Sequence, residues 1–567
     1  MTALLTTFVF LASARPAQDS RPSLGDAVDR LFATWSRSDS PGCAVAVARD
    51  GKTLHARGYG MADLEHGAPI TPRSVFEIGS CSKQFTAMAI ALLEERGRLS
   101  LDDDVRRHVP ELPDFGAPIT LRHLLHHTSG LREHWFLDEL AGWRWQDVAT
   151  WSDLLQLTCR QRSLNFAPGT RHAYSNTGYG LLAEVVRRVS GEPLSKFLAR
   201  EVFDPLGMSS THVHDDRTRV VANRAVSHHP RDGGSFALSL PNVESVGDGN
   251  VYSTAEDLLL WLRNFDEPRV GNAHVMQTLL TPGTLSNGER LTYAGGLRIG
   301  EHRGHHLVSH AGADFGYRAQ VMWFPDEHLS VVCIANLSSI DVEDLARSVA
   351  DVALGVAEPE SRAAEPSRDA LMKGAAEARA YAQEHAVEVP AAELAPLAGT
   401  YLDLGSGETK TVRLEGSRLL LRAPGGRDVP LAPIGPSRFL VLGATTKLEV
   451  SFAGEKGTRT LAFGEMGGHR KDFALLAPRE SASLAELAGT YASDEVGVTW
   501  NVVADGGALA IRRPRFDDLK LSPVCADTFH DDWLGTVHFL RDGAGKAVAF
   551  EIGNRVRGVE RIEFRRR

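Results

Sequence analysis

Leu394-Ala395, Leu397-Ala398 and Gly399-Thr400-Tyr401 return further along the chain as Leu484-Ala485, Leu487-Ala488 and Gly489-Thr490-Tyr491. The same offset carries Asp428, Leu431 and Pro433 onto Asp518, Leu521 and Pro523, and Phe439 onto Phe529. Several landmarks that keep one offset mark a duplicated module. Short alternating runs such as 411–414 and 419–422, broken by Gly-rich turns, read as antiparallel strands. A closed barrel is the expected form of each module, because closure removes the exposed edges of a small sheet. Two barrels are therefore placed at 393–480 and 483–567. Modules of about 85 residues are expected to fill their interiors with side chains rather than with a ligand, with Tyr401 and Tyr491 in the core.

The whole chain has 567 residues, too many for a single core and enough for three or four domains. Ahead of the barrels, 358–392 is rich in Ala, Glu and Arg and reads as a partly helical linker, leaving 15–357 for a larger domain. Its opening stretch from Pro41, with Asp50-Gly51 between two apolar runs, reads as a hairpin. Strands return at 320–324 and 330–335 around the turn Pro325-Asp326-Glu327, while helices and loops dominate from about 100 to 250. The economical arrangement is a sheet assembled from both ends of the domain, with a helical region inserted. The first residues, an apolar run from Ala3 to Leu11 followed by Ala12-Ser13-Ala14, resemble a secretory signal over 1–14 that lacks a charged n-region. Secretion, or export to a periplasm, is expected. No later segment reaches the ~18 consecutive apolar residues of a membrane span.

A formal charge of −10, with acids and bases mixed along the chain, speaks against a nucleic-acid surface. The basic tail Arg565-Arg566-Arg567 and the stretch Arg512-Arg513-Pro514-Arg515 read as solvated segments. Five scattered cysteines without Cys-x-x-Cys spacing form neither a disulfide framework nor a zinc site.

The chemistry gathers around Ser80-Cys81-Ser82-Lys83, within a stretch from Arg73 to Arg98 that reads as a buried helix opening at Ser80. Three residues apart on a helix means one face, one turn on, so the lysine amine reaches the serine oxygen. Serine is a weak nucleophile until an adjacent base activates it. About one Ser-x-x-Lys is expected by chance in a chain this long. Lys83 is the only lysine here with serine three positions before it. Downstream stand Tyr174-Ser175-Asn176, in a loop before an apolar helix, the Gly-rich turn Gly247-Asp248-Gly249-Asn250, and Ser309-His310-Ala311-Gly312 near a strand. His123, His126 and His127 imitate metal-ligand spacing, but no helical acid completes a His-Glu-x-x-His pattern. Cys81, beside the serine, has no role in this reading.

Together these motifs resemble the serine β-lactamase and penicillin-binding fold, in its class C and D-aminopeptidase branch, over about 60% of the chain. The order of the pieces, the flanking Phe76-Glu77-Ile78-Gly79, the segment Leu124 to Leu131, and Pro325 with Asn336 share the likeness. The resemblance implies an α+β fold: an antiparallel sheet with helices and an inserted helical region, followed by the two small antiparallel β-barrels, which are lipocalin-like. It also implies roles. Ser80, at a helix N-terminus that favours a developing oxyanion, attacks a carbonyl and forms an acyl-enzyme. Lys83 and Tyr174 act as a coupled base pair, either of which could be the base in acylation. Asn176 binds the acyl side chain, the N–H groups of Ser80 and Ala313 form the oxyanion hole, and Gly312 lets the strand come close to the substrate. His310 stands where transpeptidases and most β-lactamases carry the lysine that anchors a substrate carboxylate. Histidine is partly charged near neutrality, so the resemblance points to the D-aminopeptidases and esterases of the fold, some of which carry two such barrels.

The expected function is a serine hydrolase acting on small amides, peptides with D-residues, or esters. A class C-like β-lactamase or D-Ala-D-Ala carboxypeptidase is the alternative within the enzymes, and a catalytically inactive binder or sensor of the same fold the alternative outside them. Ser80, Lys83, Tyr174 and Asn176 together favour the enzyme. The expected partner is a small-molecule or short-peptide substrate, with no metal, cofactor or nucleic acid.

Overall fold

The computed structural model describes residues 23–356, 378–403, 409–422, 428–442, 444, 447–455, 459–466, 470–475, 484–505, 507–525, 527–531, 533–554 and 556–567. The expected signal segment and the linker up to residue 377 lie outside the described residues.

The hairpin expected from Asp50-Gly51 pairs β1 (Cys43–Arg49) with β2 (Lys52–Tyr59). Both turn residues have positive φ, 51° and 68°, the backbone that a tight two-residue hairpin turn requires. The far end of the domain contributes β3 (Arg298–His302), β4 (His305–Asp314), β5 (Tyr317–Phe324) and β6 (Leu329–Ala335). β6 pairs with β1, giving one antiparallel sheet in the order β3-β4-β5-β6-β1-β2. The sheet joins both ends of the domain, as the sequence implies.

Its central strands are buried on both faces, which is why they read as continuous apolar runs rather than alternating ones. Ala44, Ala46, Val321, Val332 and Ile334 face the helical region. Val45, Val47, Met322, Val331 and Cys333 face the opposite way, under the helices Leu24–Leu31 and Val342–Leu354. Within the first layer lies α1 (Lys83–Glu95), buried from Lys83 to Leu93, which explains why its sequence carries no polar stripe.

Beyond the sheet come two closed barrels of eight antiparallel strands each, spanning Gly399–Leu475 and Gly489–Arg566. The duplication extends to single bonds. Tyr401 donates to the Leu397 carbonyl and Tyr491 to the Leu487 carbonyl, both at 2.8 Å. Pro433 pairs with Phe439 and Pro523 with Phe529, each beside a register shift. Apolar side chains fill both interiors, Tyr401, Phe439 and Phe452 in the first and Tyr491, Trp500 and Phe550 in the second. The chain is thus α+β, a sheet-and-helix domain followed by two barrels. Among the described residues no helix is long and apolar enough to cross a membrane.

Candidate active site

A tight 3-10 turn, Gly79–Ser82, carries Ser80 and runs directly into α1, whose first residue is Lys83. Gly79 has φ 52°, and its N–H donates to the Glu77 Oε1 at 2.9 Å. That same oxygen accepts from the Asn250 N–H at 3.1 Å, so one buried carboxylate ties the nucleophile's turn to the 247–250 loop. Burial and the neighbouring Asp314 push the Glu77 carboxyl well above its usual range.

Lys83 Nζ sits fully buried against three polar atoms: Ser80 Oγ at 3.0 Å, Asn176 Oδ1 at 2.7 Å and the Asp248 carbonyl at 2.7 Å. These three contacts fix where the lysine nitrogen lies. The Ser80–Lys83 contact is the one that their spacing implies. Asn176 opens the helix Asn176–Ser190 and offers its own N–H to Glu133 Oε2 at 2.6 Å. With Oδ1 taken by Lys83, its side-chain N–H groups are left for the space beside Ser80, where Asn176 lines the wall.

Tyr174 stands against the same lysine, with Nζ 4.9 Å from the ring centre. Its phenol oxygen is buried and bonded to neither Lys83 nor Ser80. The ring is wedged instead between His127, centroids 4.2 Å apart, and Tyr293 at 6.1 Å. His127 accepts the Ser175 N–H at Nδ1 and so holds the loop that presents Tyr174. His123 caps the short helix Leu121–Leu125, its Nδ1 accepting from Thr120 N–H. These two histidines of the metal-like spacing thus serve the loop and the helix cap.

His310 is 3% exposed. A carbonyl can only accept, so Nδ1–H donates to the Ala311 oxygen at 2.6 Å and Nε2 accepts from the Tyr293 hydroxyl at 2.9 Å. Burial and nearby Lys83 pull its pKa down to about 3. It is neutral at ordinary pH, not partly charged as expected from free histidine. The Cys81 thiol donates to the His310 carbonyl at 3.2 Å inside the core, away from the reacting side of Ser80. Burial pushes it far above the usual thiol range.

β4 crosses the nucleophile's turn at very short range. A Cβ on Gly312 would lie 2.0 Å from the Ile78 oxygen, and one on Gly79 would lie 2.5 Å from the Ala313 nitrogen. The glycine at 312 was expected to make room for substrate. The group it makes room for is the Ile78 carbonyl, and the approach brings Ala313 beside Ser80.

Two spaces open from Ser80. One, of about 270 Å³, is walled by Asn176, Glu133, Asp248, Asp314, Trp135 and Trp145. The Trp135 indole donates to Asp248 Oδ2 at 3.0 Å, while Asp248 Oδ1 is buried without a partner. His134, beside it at 3.4 Å, is raised in pKa by the acids around it despite its burial, and Asp248 is lowered by His134, Lys83 and Trp135 despite its own. Burial and Asp248 hold Asp314 up at about 7. The other space, of about 790 Å³, passes Tyr174 and His310 and runs over the outer face of β4 and β5. The sequence motifs mark Ser80, Lys83, Tyr174, Asn176 and His310. They give Asp248, within the Gly-rich turn, no role, and they do not mark Glu133, Asp314 or Tyr293, which converge on the site only through folding.

Along nearly its whole length the chain is similar to a D-aminopeptidase of Gluconobacter oxydans, with 31% identity over 541 residues, 91% of this chain and 94% of that protein. Penicillin-binding protein 4* of Bacillus subtilis is 28% identical over 461 residues, 78% of this chain and 96% of that one. Among solved structures, an octameric penicillin-binding protein homologue from Pyrococcus abyssi shares the fold, with a TM-score of 0.55 and 24% identity over 79% of this chain and 99% of that one. Residues 28–356 match the family model described as Beta-lactamase. With the fold and this match together, the chain belongs to the beta-lactamase and penicillin-binding-protein-like family and is a serine hydrolase.

Proposed function

We propose that the protein cleaves small amides and short peptides whose first residue carries a free amine, through an acyl-enzyme on Ser80. The observation that carries this reading is the pocket beside Ser80 and Asn176, lined by Glu133, Asp248 and Asp314 with two tryptophans. Three carboxyl groups and aromatic faces suit an ammonium group. They oppose an anionic acyl side chain. An ammonium bound there would also draw the proton off Asp314, since an opposite charge favours the ionised carboxylate. Similarity to the Gluconobacter D-aminopeptidase over nearly the whole chain supports D configuration at that first residue.

In this mechanism Ser80 Oγ adds to the carbonyl carbon and its proton passes to the Lys83–Tyr174 pair. The carbonyl oxygen takes its charge into the N–H groups of Ser80 and Ala313. The C–N bond then breaks, the leaving nitrogen takes the proton from the same pair, and water hydrolyses the resulting ester. A buried Tyr174 oxygen without a hydrogen-bond partner supports a role for this phenol in bonding the leaving nitrogen. His310 is neutral and held by Tyr293, so it supplies no cation for a carboxylate at that point.

The test compares D-alanine amide with N-acetyl-D-alanine amide. Acetylation removes the charge that the acidic pocket binds, so kcat/KM should fall by about 100-fold, equivalent to roughly 2.7 kcal/mol. Equal turnover of the two, or faster hydrolysis of nitrocefin than of either, would contradict the reading.

A further inference from the structure

The pocket beside Ser80 and Asn176 is larger than an ammonium group needs. Its volume of about 270 Å³ is room for roughly nine waters at ~30 Å³ each. The ammonium and methyl groups of a D-alanyl residue fill only part of it. The segment 243–250 supplies one wall, and three of its side chains carry buried polar atoms without a hydrogen-bond partner among the described residues. They are Ser245 Oγ, Asp248 Oδ1 and Asn250 Oδ1. None of the three residues is more than 5% exposed.

The local structure explains why these atoms are left over. Asn250 Nδ2 donates to the Val243 and Ser245 carbonyls at 3.2 and 2.7 Å, which fixes the amide's orientation and leaves Oδ1 as the unsatisfied end. The Asp248 carboxylate meets the Trp135 indole at 3.0 Å and His134 at 3.4 Å, both through Oδ2. A buried polar atom without a partner costs free energy that a matching ligand group would recover. The carboxylate and amide oxygens can only accept, whereas the serine hydroxyl can donate. The wall therefore offers two acceptors and one donor. A primary carboxamide is the complement, with two N–H groups and one carbonyl. An aliphatic side chain would satisfy none of the three. A second ammonium beside Asp248 is disfavoured, because His134, raised in pKa by the surrounding acids, already sets a cation there.

We propose that the first residue of the substrate carries a side-chain carboxamide, as D-glutamine does, and that Ser245, Asp248 and Asn250 select it. This inference rests on the functional reading above, in which the acyl residue lies on the Asn176 side of Ser80. The carboxamide N–H groups donate to Asp248 Oδ1 and Asn250 Oδ1, and the Ser245 hydroxyl donates to its oxygen. The α-ammonium stays with Glu133 and Asp314, which line the same pocket. A site built around hydrogen bonds discriminates against an analogue that lacks them, since its own buried groups are then left unpaired.

The experiment measures steady-state kinetics of the full chain on D-glutamine amide, D-norleucine amide, D-lysine amide and D-alanine amide. D-Glutamine amide should have the highest kcat/KM of the four, about tenfold above D-norleucine amide. Ser245→Ala removes an oxygen that has no hydrogen-bond partner among the described residues, so it strands no other group. In that variant the ratio of kcat/KM for D-glutamine amide to that for D-norleucine amide should fall about fivefold. D-Norleucine, D-alanine or D-lysine amide turned over as well as D-glutamine amide, or an unchanged ratio in the variant, would overturn the side-chain assignment while leaving amide hydrolysis intact. No turnover of any of the four would instead sink the functional reading itself.

Discussion

A Cβ on Gly312 would lie 2.0 Å from the Ile78 carbonyl oxygen and 3.2 Å from the Cys81 nitrogen. Backbone atoms cannot swing aside as a flexible side chain can, so alanine at this position must push β4 away from the turn that holds Ser80. The Ala313 N–H moves with the strand. Loss of one oxyanion donor typically costs 10²–10³ in rate. Gly312→Ala should therefore lower kcat by about 100-fold with KM for D-alanine amide changed by less than threefold, read from steady-state kinetics. A loss confined to KM would place the glycine's role in binding instead. At this scale the sequence was informative where chemistry is local. Ser80 and Lys83 are one turn apart, and that spacing alone implies their contact. Glu133, Asp248 and Asp314 come from three separate loops or strand ends, and no spacing joins them. Tyr174 shows the limit from the other side: the motif identifies it, but its phenol is bonded to neither Lys83 nor Ser80, because His127 and Tyr293 determine where the ring lies.

Strands and helices were legible to different degrees for physical reasons. The barrels announced themselves through a constant offset, since each repeat must rebuild the same closed sheet, down to the tyrosine that bonds a leucine carbonyl four residues before it. The Asp50-Gly51 hairpin was legible because its turn demands positive φ. The nucleophile's segment was read as one helix opening at Ser80, but it begins as a 3-10 turn. The distortion follows from Gly79, held at positive φ by Glu77 and pressed against β4, a constraint that only the tertiary fold imposes.

In the molecule as a whole the second barrel is fastened to the catalytic domain next to its active site. Arg132, 2% exposed, pairs with Glu495 at 2.6 Å and also donates to the Glu560 and Arg561 carbonyls. The next residue, Glu133, donates its N–H to the Gly558 oxygen at 2.9 Å and accepts the Asn176 N–H at its carboxylate. Phe136, Leu137 and Leu140 pack into the barrel's apolar cluster. Removing one partner of a buried ion pair costs about 3–5 kcal/mol, because the other charge remains buried and unpaired. Glu495→Ala should loosen this seam, exposing the second barrel to limited proteolysis and lowering kcat/KM for D-alanine amide. Unchanged proteolysis and kinetics would show that the seam is held by its apolar contacts alone. The central claim, that Ser80 forms the acyl-enzyme, is tested most directly by intact-protein and peptide mass spectrometry after reaction with a fluorophosphonate. One adduct on Ser80, absent from Ser80→Ala and strongly slowed in Lys83→Ala, is the expected result. A folded protein that stays unlabelled at Ser80, or carries its adduct on another residue, would contradict it.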